Sequence, residues 1–258
     1  LRLGASKTYT LPQAKEISPY RYVGVNFNSQ GNPNLKPSDH YNLDLKWDFN
    51  PTSTELISLT AFYKLIKNPI SRIEVASAGG YLSYENIADK ATVAGVEVEI
   101  RKNLFVRPVS NAAHGMNKLS LGLNGSYIYT NAKMPLATVT TGSQLEGAAP
   151  WIVNFDLSHN FTKGERSFVN TLVLNYVSDK IYTIGTQGYQ DMMEQGVLTL
   201  DFVSQAKLNK HLSLNLKARN LLNPSYKLSR KANENGEKVI LNDYKKGINI
   251  SLGVSCTF

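Results

Sequence analysis

The chain has 258 residues, 42% hydrophobic and 19% charged, with 28 Lys+Arg against 20 Asp+Glu for a net charge of +8. That apolar content excludes a disordered basic tail. A mean hydropathy of −0.26, with no run of 18 apolar residues, excludes a membrane-spanning helix, but not a membrane-spanning barrel, whose alternating strands need only about 9 to 11 residues to cross.

Period-2 alternation dominates from the first residue. Residues 1–10 already run as a strand, with nothing like a signal peptide before them, which suggests a fragment. Residues 40–49 set Tyr41, Leu43, Leu45, Trp47 and Phe49 against Asn42, Asp44, Lys46 and Asp48. Residues 54–66 carry Ile57, Leu59, Ala61 and Tyr63 on one face, and 92–101 carry Val96, Val98 and Ile100. The pattern returns at 118–130 with Leu119, Leu121, Leu123, Tyr127 and Tyr129, and at 151–161 with Val153, Phe155 and Leu157. It continues at 168–177 (Leu172, Leu174, Tyr176), 197–208 (Leu198, Leu200, Phe202), 211–221 (Leu212, Leu214, Leu216) and 248–258 (Ile250, Leu252, Val254). Ten strands result, with one greasy and one polar face.

The connections alternate in length. Residues 50–53, 162–167 and the two-residue turn Asn209-Lys210 are tight, whereas five others run to about 19 to 29 residues. Residues 102–117 form the one longish link where a tight one is expected. A soluble sandwich rarely carries five structureless loops of that length, whereas an outer-membrane barrel keeps short turns in the periplasm and long loops outside. Outward Tyr41, Tyr127, Tyr129, Trp151 and Tyr176 fall near the long loops, and Trp47, Phe49, Phe161, Phe168 and Phe258 near the short turns. Two aromatic girdles are therefore expected, because these rings favour the headgroup level. The expected fold is all-β, an antiparallel transmembrane barrel of about ten up-and-down strands.

Few residues suggest chemistry. The lone Cys256 permits no internal disulfide, and the four His are scattered, so no metal or other cofactor is implied. Glu97, Glu99 and Arg101 share an inward face, which suits a wet lumen wall better than acid-base catalysis. A complete ten-stranded protease barrel of omptin type is the enzyme alternative, and Asp39-His40 stands at the right height for it. Neighbours on a strand point to opposite faces, however, and His114, His159 and His211 belong to the other side of the membrane. A structural barrel without transport is the remaining alternative. The Lys and Arg residues form no stripe, so nucleic acid is not an expected partner. The basic loop around Lys227, Arg230, Lys231 and Lys238, with Glu234 and Glu237, suits an anionic chelate, lipopolysaccharide phosphate or plain solvation. Tyr20, Arg21, Tyr22, Arg72, Tyr81, Tyr84, Tyr182, Tyr189 and Arg230 are the candidate ligand contacts, since Tyr and Arg combine contact area with hydrogen-bonding ends, though each equally suits loop packing.

Gly31-Asn32-Pro33-Asn34-Leu35-Lys36-Pro37, followed by Tyr41-Asn42-Leu43-Asp44-Leu45, resembles the barrel of TonB-dependent outer-membrane receptors, particularly those of the Bacteroidetes. Ser6-Lys7-Thr8, Ala61-Phe62-Tyr63-Lys64 with Asn68-Pro69-Ile70, and Tyr84-Glu85-Asn86 before Gly95-Val96-Glu97-Val98-Glu99 continue the resemblance. So do Leu145-Glu146-Gly147-Ala148-Ala149-Pro150-Trp151, Asn220-Leu221-Leu222-Asn223-Pro224 and the terminal Phe258, which is similar to a barrel-assembly signal. The resemblance implies the last ten strands of a 22-stranded barrel, with an N-terminal plug and TonB box that this chain lacks, so the first and last strands would be edges. It implies uptake of a scarce ligand across the outer membrane of a Gram-negative bacterium, powered by the TonB complex, with no enzymatic step. The expected partners are the plug and remaining strands, lipopolysaccharide and, in some members, a surface lipoprotein. Long C-terminal features of SusC-like glycan importers are absent, which turns the expectation toward an iron chelate.

Overall fold

The computed structural model describes residues 1–77, 80–109, 115–134, 144–232 and 236–257. His114, Glu234 and Phe258 lie outside the described residues. In chain order the elements are β1 (Arg2–Thr10), one helical turn α1 (Ala14–Ile17), β2 (Arg21–Tyr22), β3 (Ser29–Gln30), β4 (Ser38–Phe49) and β5 (Leu56–Lys67). Next come β6 (Ile70–Val75), β7 (Tyr81–Asn86), β8 (Lys90–Pro108), β9 (Met116–Ala132), β10 (Trp151–Lys163) and β11 (Arg166–Val177). The last are β12 (Lys180–Thr183), β13 (Met192–Glu194), β14 (Val197–Lys207), β15 (Leu212–Arg219), β16 (Ser225–Lys231), β17 (Lys238–Lys245) and β18 (Asn249–Cys256). No described helix is long and apolar enough to cross a bilayer, so any crossing is made by strands.

Ten strands form one antiparallel meander in the order β1-β4-β5-β8-β9-β10-β11-β14-β15-β18, matching the ten read from periodicity. Strand β10 begins at Trp151, as its alternation predicts. The sheet is inside out by the standard of a soluble protein: Leu43, Leu45, Trp47, Leu59, Leu172, Leu252 and Val254 are all exposed along one face. Water alone would penalise such a surface, and hydrocarbon removes the penalty. Polar residues of the other face bond across strands, as Ser158 with Thr171 at 3.1 Å and Asn154 with Asn124 at 3.4 Å. Cross-strand rings mark both rims. Tyr127 and Trp151 lie 4.6 Å apart near the long loops, and Phe161 and Phe168 lie 6.4 Å apart beside the short turn. Strands β1 and β18 stand at opposite ends of the order, and no ladder joins them among the described residues, although a complete ten-stranded barrel needs one.

Two connections differ from expectation. Residues 102–117 are mostly strand: β8 runs on to Pro108 and pairs with β9 down to Met116. A bulge at Leu104, between the pairs Asn103↔Ser120 and Phe105↔Leu119, shifts the alternation by one and hides the strand from a period-2 reading. The turn at Asn209-Lys210 has three residues, because the Leu208 amide donates to the Leu212 carbonyl at 2.9 Å. Asn209 Oδ1 accepts from the amides of His211 and Leu212, which sets the reversal.

Gly95 faces the lumen directly opposite Phe62. A Cβ there would sit 2.4 Å from the Phe62 ring and 2.5 Å from the Tyr127 carbonyl oxygen. The ring covers the bare backbone of its cross-strand partner. Gly95→Val should destabilise the wall by about 1 to 3 kcal/mol, the usual cost of overpacking. A lower unfolding temperature of the protein on heat-modifiability gels checks this, and an unchanged temperature would contradict the packing.

Candidate ligand-binding cap

The long loops carry short strands of their own. Four of these loops build two four-stranded sheets, ordered β2-β3-β7-β6 and β12-β13-β16-β17. Ile184, just past β12, joins them by a parallel bridge to Ile73 of β6. The Ile184 amide donates to the Arg72 carbonyl at 3.0 Å, and the Glu74 amide donates to the Ile184 carbonyl at 3.1 Å. The result is a continuous cap over one end of the wall.

One face of the cap is apolar. Ile73, Ile87, Leu145, Ile181 and Ile184 are buried against Ala91 and Ala132, which belong to the lumen side of β8 and β9. This is the main buried cluster of the chain, and it lies above the membrane wall because the wall's own apolar face is turned to lipid. Small residues at Ala91 and Ala132 let the loops approach the wall closely.

Strand alternation turns Arg72 and Glu74 away from that core, opposite Tyr84 and Leu82 on β7. Arg72 is held three ways. Its guanidinium pairs with Glu146 at 3.2 Å, its backbone amide donates to Glu146 Oε2 at 2.6 Å, and the ring of Tyr182 lies 4.4 Å away. Glu74 pairs with Arg230, which also stacks on Tyr189 at 5.2 Å. Arg21 of β2 stacks on Tyr81 at 4.9 Å. Arg72 Nε and Arg230 Nε are nonetheless buried with no hydrogen-bond partner.

A cleft of about 460 Å³ opens beside Arg72, between Tyr84, Tyr182, Phe27, Leu82 and Lys15. A second, of about 320 Å³, adjoins Arg230, Lys231, Lys238, Asp179, Asp191 and Met193. Both volumes suit a small ligand. Of the residues expected to contact ligand, Arg72, Tyr84 and Tyr182 line the first cleft and Arg230 the second, with Tyr189 stacked on Arg230. Arg21 and Tyr81 form a pair on the same sheet. Tyr20 and Tyr22 are instead at the cap's outer edge, 76% and 41% exposed. Sequence reasoning missed Glu74 and Glu146, the acids that fix the two arginines, and Phe27. No spacing signal links them to their partners. His40 accepts or donates at Thr10 Oγ1, 3.0 Å away, while Asp39 pairs with Lys7, so the two neighbours do diverge.

Burial raises the carboxyl pKa of Glu146 above its ordinary 4.5, outweighing the Arg72 amide and guanidinium that favour the anion. The folded cap therefore holds this proton more tightly than an unfolded loop does. Its stability is greatest below the ordinary carboxylate pKa and falls as pH rises through the raised value. The Gly147 amide, which donates to the Ile181 carbonyl at 2.8 Å, should accordingly lose hydrogen-exchange protection as pH rises above the ordinary carboxylate range, after correction for intrinsic rates. Glu146→Gln should flatten that dependence, and an unaltered slope would exclude Glu146 as its source.

A profile for the family described as TonB dependent receptor-like, beta-barrel matches residues 1–221. The iron-regulated outer membrane virulence protein of Vibrio cholerae serotype O1, strain El Tor Inaba, is 26% identical over 208 residues, covering 77% of this chain and 29% of that protein. Its counterpart from a second strain is 25% identical over the same length and coverage. The chain thus spans about three-tenths of the length of these curated relatives. Among solved structures, a variant of the ferric enterobactin receptor from Pseudomonas aeruginosa in complex with enterobactin superposes with a TM-score of 0.57 at 17% identity, over 99% of this chain and 38% of that one. A second variant of that receptor gives 0.55 at 17% identity with the same coverage. At such identity the likeness is one of fold.

Proposed function

Because the chain belongs to the TonB-dependent receptor-like β-barrel family of the outer membrane, we propose that it supplies the C-terminal barrel strands and most of the extracellular cap of a receptor that takes up a ferric chelate. Energy would come from the TonB complex through a plug and TonB box outside this chain. The remaining barrel strands would pair with the edges β1 and β18. The two relatives with iron-regulated names support an iron-chelate cargo over a glycan. The motifs around residues 31–45 favour a Bacteroidetes-type member, and a surface lipoprotein is a further candidate partner.

The observation that carries this reading is the cap itself. Two clefts lie at the mouth of a polar-lined wall, one lined by Arg72 with Tyr84 and Tyr182 and the other by Arg230, which stacks on Tyr189. Ferric chelates commonly bear oxygen anions around a bulky, partly apolar body, and cation plus aromatic surface is the matching recognition chemistry. Covalent chemistry by this chain is not called for, since the family transports. Tyr84 at the first cleft, with Tyr20 and Tyr22 at the cap's outer edge, forms the proposed contact set together with Arg21, Arg72, Tyr81, Tyr189 and Arg230.

Substituting Tyr20, Tyr22 and Tyr84 by Ala in the full-length receptor should weaken chelate binding to whole cells. Single changes should cost about 1 to 3 kcal/mol, with Tyr84 the largest because it alone of the three lines the cleft. Radio-iron uptake in iron-starved cells, with and without an intact TonB complex, tests the transport claim. Unchanged uptake in a deletion strain would exclude iron-chelate import. Unchanged affinity in the triple variant, with normal surface expression, would move the binding surface to the plug or the remaining strands.

A further inference from the structure

We propose that the cargo crosses the barrel along one arc of the lumen wall, the inner faces of β9, β10 and β11, and that Asn124, Asn154, Ser158, Thr171 and Val173 line its route. The inference rests on the ferric-chelate reading above and adds to it the path between the cap and the periplasmic turns.

Strand parity divides the inner face of the wall into a charged arc and a neutral one. Across β4, β5 and β8 run the rows Lys46-Thr60-Glu97 and Asp48-Ser58-Glu99. Arg2 of β1 pairs with Asp48 at 2.9 Å, Lys46 with Asp48 at 3.6 Å and Arg101 with Glu99 at 2.7 Å. Asp44 and Glu97 are exposed and make no ion pair among the described residues. Beyond β8 the character changes. Glu99 stands opposite Asn124, which leads on to Asn154 and Asn175, and nearer the periplasm runs the row Ser120-Ser158-Thr171. Val169 and Val173 flank Thr171 on the same face. Lys118, at the periplasmic end, and Asp156 are the charged exceptions, and Asp156 folds onto the bare backbone of Gly122 opposite, where even a Cβ would collide with its carboxylate.

The neutral side chains bond to one another. Asn154 Nδ2 donates to Asn124 Oδ1 at 3.4 Å, Asn175 Nδ2 donates to Asn154 Oδ1, and Ser158 bonds Thr171 at 3.1 Å. A plug or a passing solute leaves such a surface at little cost, whereas parting an ion pair away from bulk water costs far more. Movement of the plug away from the wall is therefore easiest along this arc. An anionic chelate also travels best here. The open carboxylates of Asp44 and Glu97 repel it and the cations beside them retain it, while amides, hydroxyls and valines do neither.

The neutral arc begins directly under the cap. A cavity of about 130 Å³ is lined by Asn175 and Val177 at the top of β11, by Thr199 of β14, and by Lys180, Glu194 and Gln195 of the cap. Gln195 Nε2 donates to Ser229 Oγ at 3.2 Å, and Ser229 lines the second cleft, so cavity and cleft adjoin. At its lower end the cavity meets Asn175, the last member of the Asn124-Asn154-Asn175 row. Cleft, cavity and neutral rows thus form one track from the cap down the wall.

The test uses the full-length receptor in iron-starved cells, with every native cysteine, Cys256 included, replaced by Ser and one cysteine returned at a time. Ser158→Cys reports on the neutral arc and Thr60→Cys on the charged arc, and a bulky hydrophilic maleimide is the probe. Radio-iron complexes of enterobactin, ferrioxamine and citrate are offered as cargo, and whichever is imported is used throughout. A thiol under a plug reacts only while uncovered, so labelling at Ser158→Cys should rise about tenfold when chelate and an intact TonB complex are both present. Labelling at Thr60→Cys should not change. Once labelled, Ser158→Cys should keep chelate binding at the cell surface and lose most uptake, and labelled Thr60→Cys should keep both. Val173→Cys, on the neutral arc but outside its hydrogen bonds, should repeat the Ser158→Cys result, which separates the route from any local weakening of the wall. Equal acceleration at the two arcs, acceleration at Thr60→Cys alone, none at either, or full uptake through the labelled neutral-arc variants would overturn the route and leave the transport reading intact. Import of none of the three complexes by the parent receptor would overturn the cargo reading and the route that rests on it.

Discussion

Arginine in place of Leu172 should prevent most of the receptor from reaching its folded state in the outer membrane, whereas arginine in place of Thr171 should be tolerated. Leu172 is midway along β11, paired with Leu157 and Phe202, and its side chain faces outward with 37% exposure. A guanidinium at mid-wall on the lipid side costs about 2 to 4 kcal/mol, because hydrocarbon offers it neither water nor a counterion. Thr171 faces the lumen and bonds to Ser158, so its replacement loses one hydrogen bond, about 1 kcal/mol, and the new charge meets water. The heat-modifiable fraction in isolated outer membranes reads the difference. Tolerance at Leu172 with loss at Thr171 would mean that the two faces have been assigned the wrong way round, and equal tolerance at both would mean that the outward face does not meet hydrocarbon.

The other large effect is expected at Arg72. Arg72→Ala leaves Glu146 without its guanidinium, and it removes the cation from Tyr182. Breaking one partner of a fully buried pair costs roughly 3 to 5 kcal/mol. The side chains here keep 25% and 19% of their exposure, so solvent screening brings the expected cost to about 1 to 3 kcal/mol. That loss falls on the cap alone, since the wall's ladder does not depend on it. Hydrogen exchange should accelerate at Gly147 and Ile184 while β10 and β11 stay protected. Chelate binding to whole cells should drop at least tenfold, through both the lost cation and the loosened cleft. The double variant Arg72→Ala/Glu146→Ala should regain cap protection without regaining binding, because it removes the unpaired acid but not the need for the cation. Recovery of binding in the double variant would show that Arg72 only braces the loop. Faster exchange throughout the wall in the single variant would contradict the separation of cap from barrel.

These two experiments address parts of the molecule that differ in how far they were legible. In the wall, every residue between the girdles has one of two environments, lipid or lumen, and parity along a strand decides which. Alternation at Leu43-Asp44-Leu45 or Leu214-Asn215-Leu216 therefore revealed strands, faces and order without any knowledge of distant contacts. The reading stopped at Arg101 because the extra residue Leu104 shifts the period, and a shifted period looks like none. The candidate arginines and tyrosines were found by residue type and loop position, and Arg72, Tyr84, Tyr189 and Arg230 do converge on the clefts or their stacked pairs.

What the amino-acid sequence determined by itself was thus the ten-stranded wall, its sidedness and the chemical character of its loops. Only the tertiary structure decided that the loops form one cap, that Ile73 and Ile184 join its halves, and that Glu146 and Glu74 hold Arg72 and Arg230. Seven of its eight strands are two to seven residues long, shorter than any strand of the wall, which leaves little period to register. Its ion pairs span 74 and 156 residues of chain, so each is a product of the wall's having first brought those loops to one rim. Local alternation is imposed by the membrane on each strand separately, whereas the cap exists only where five separate loops meet.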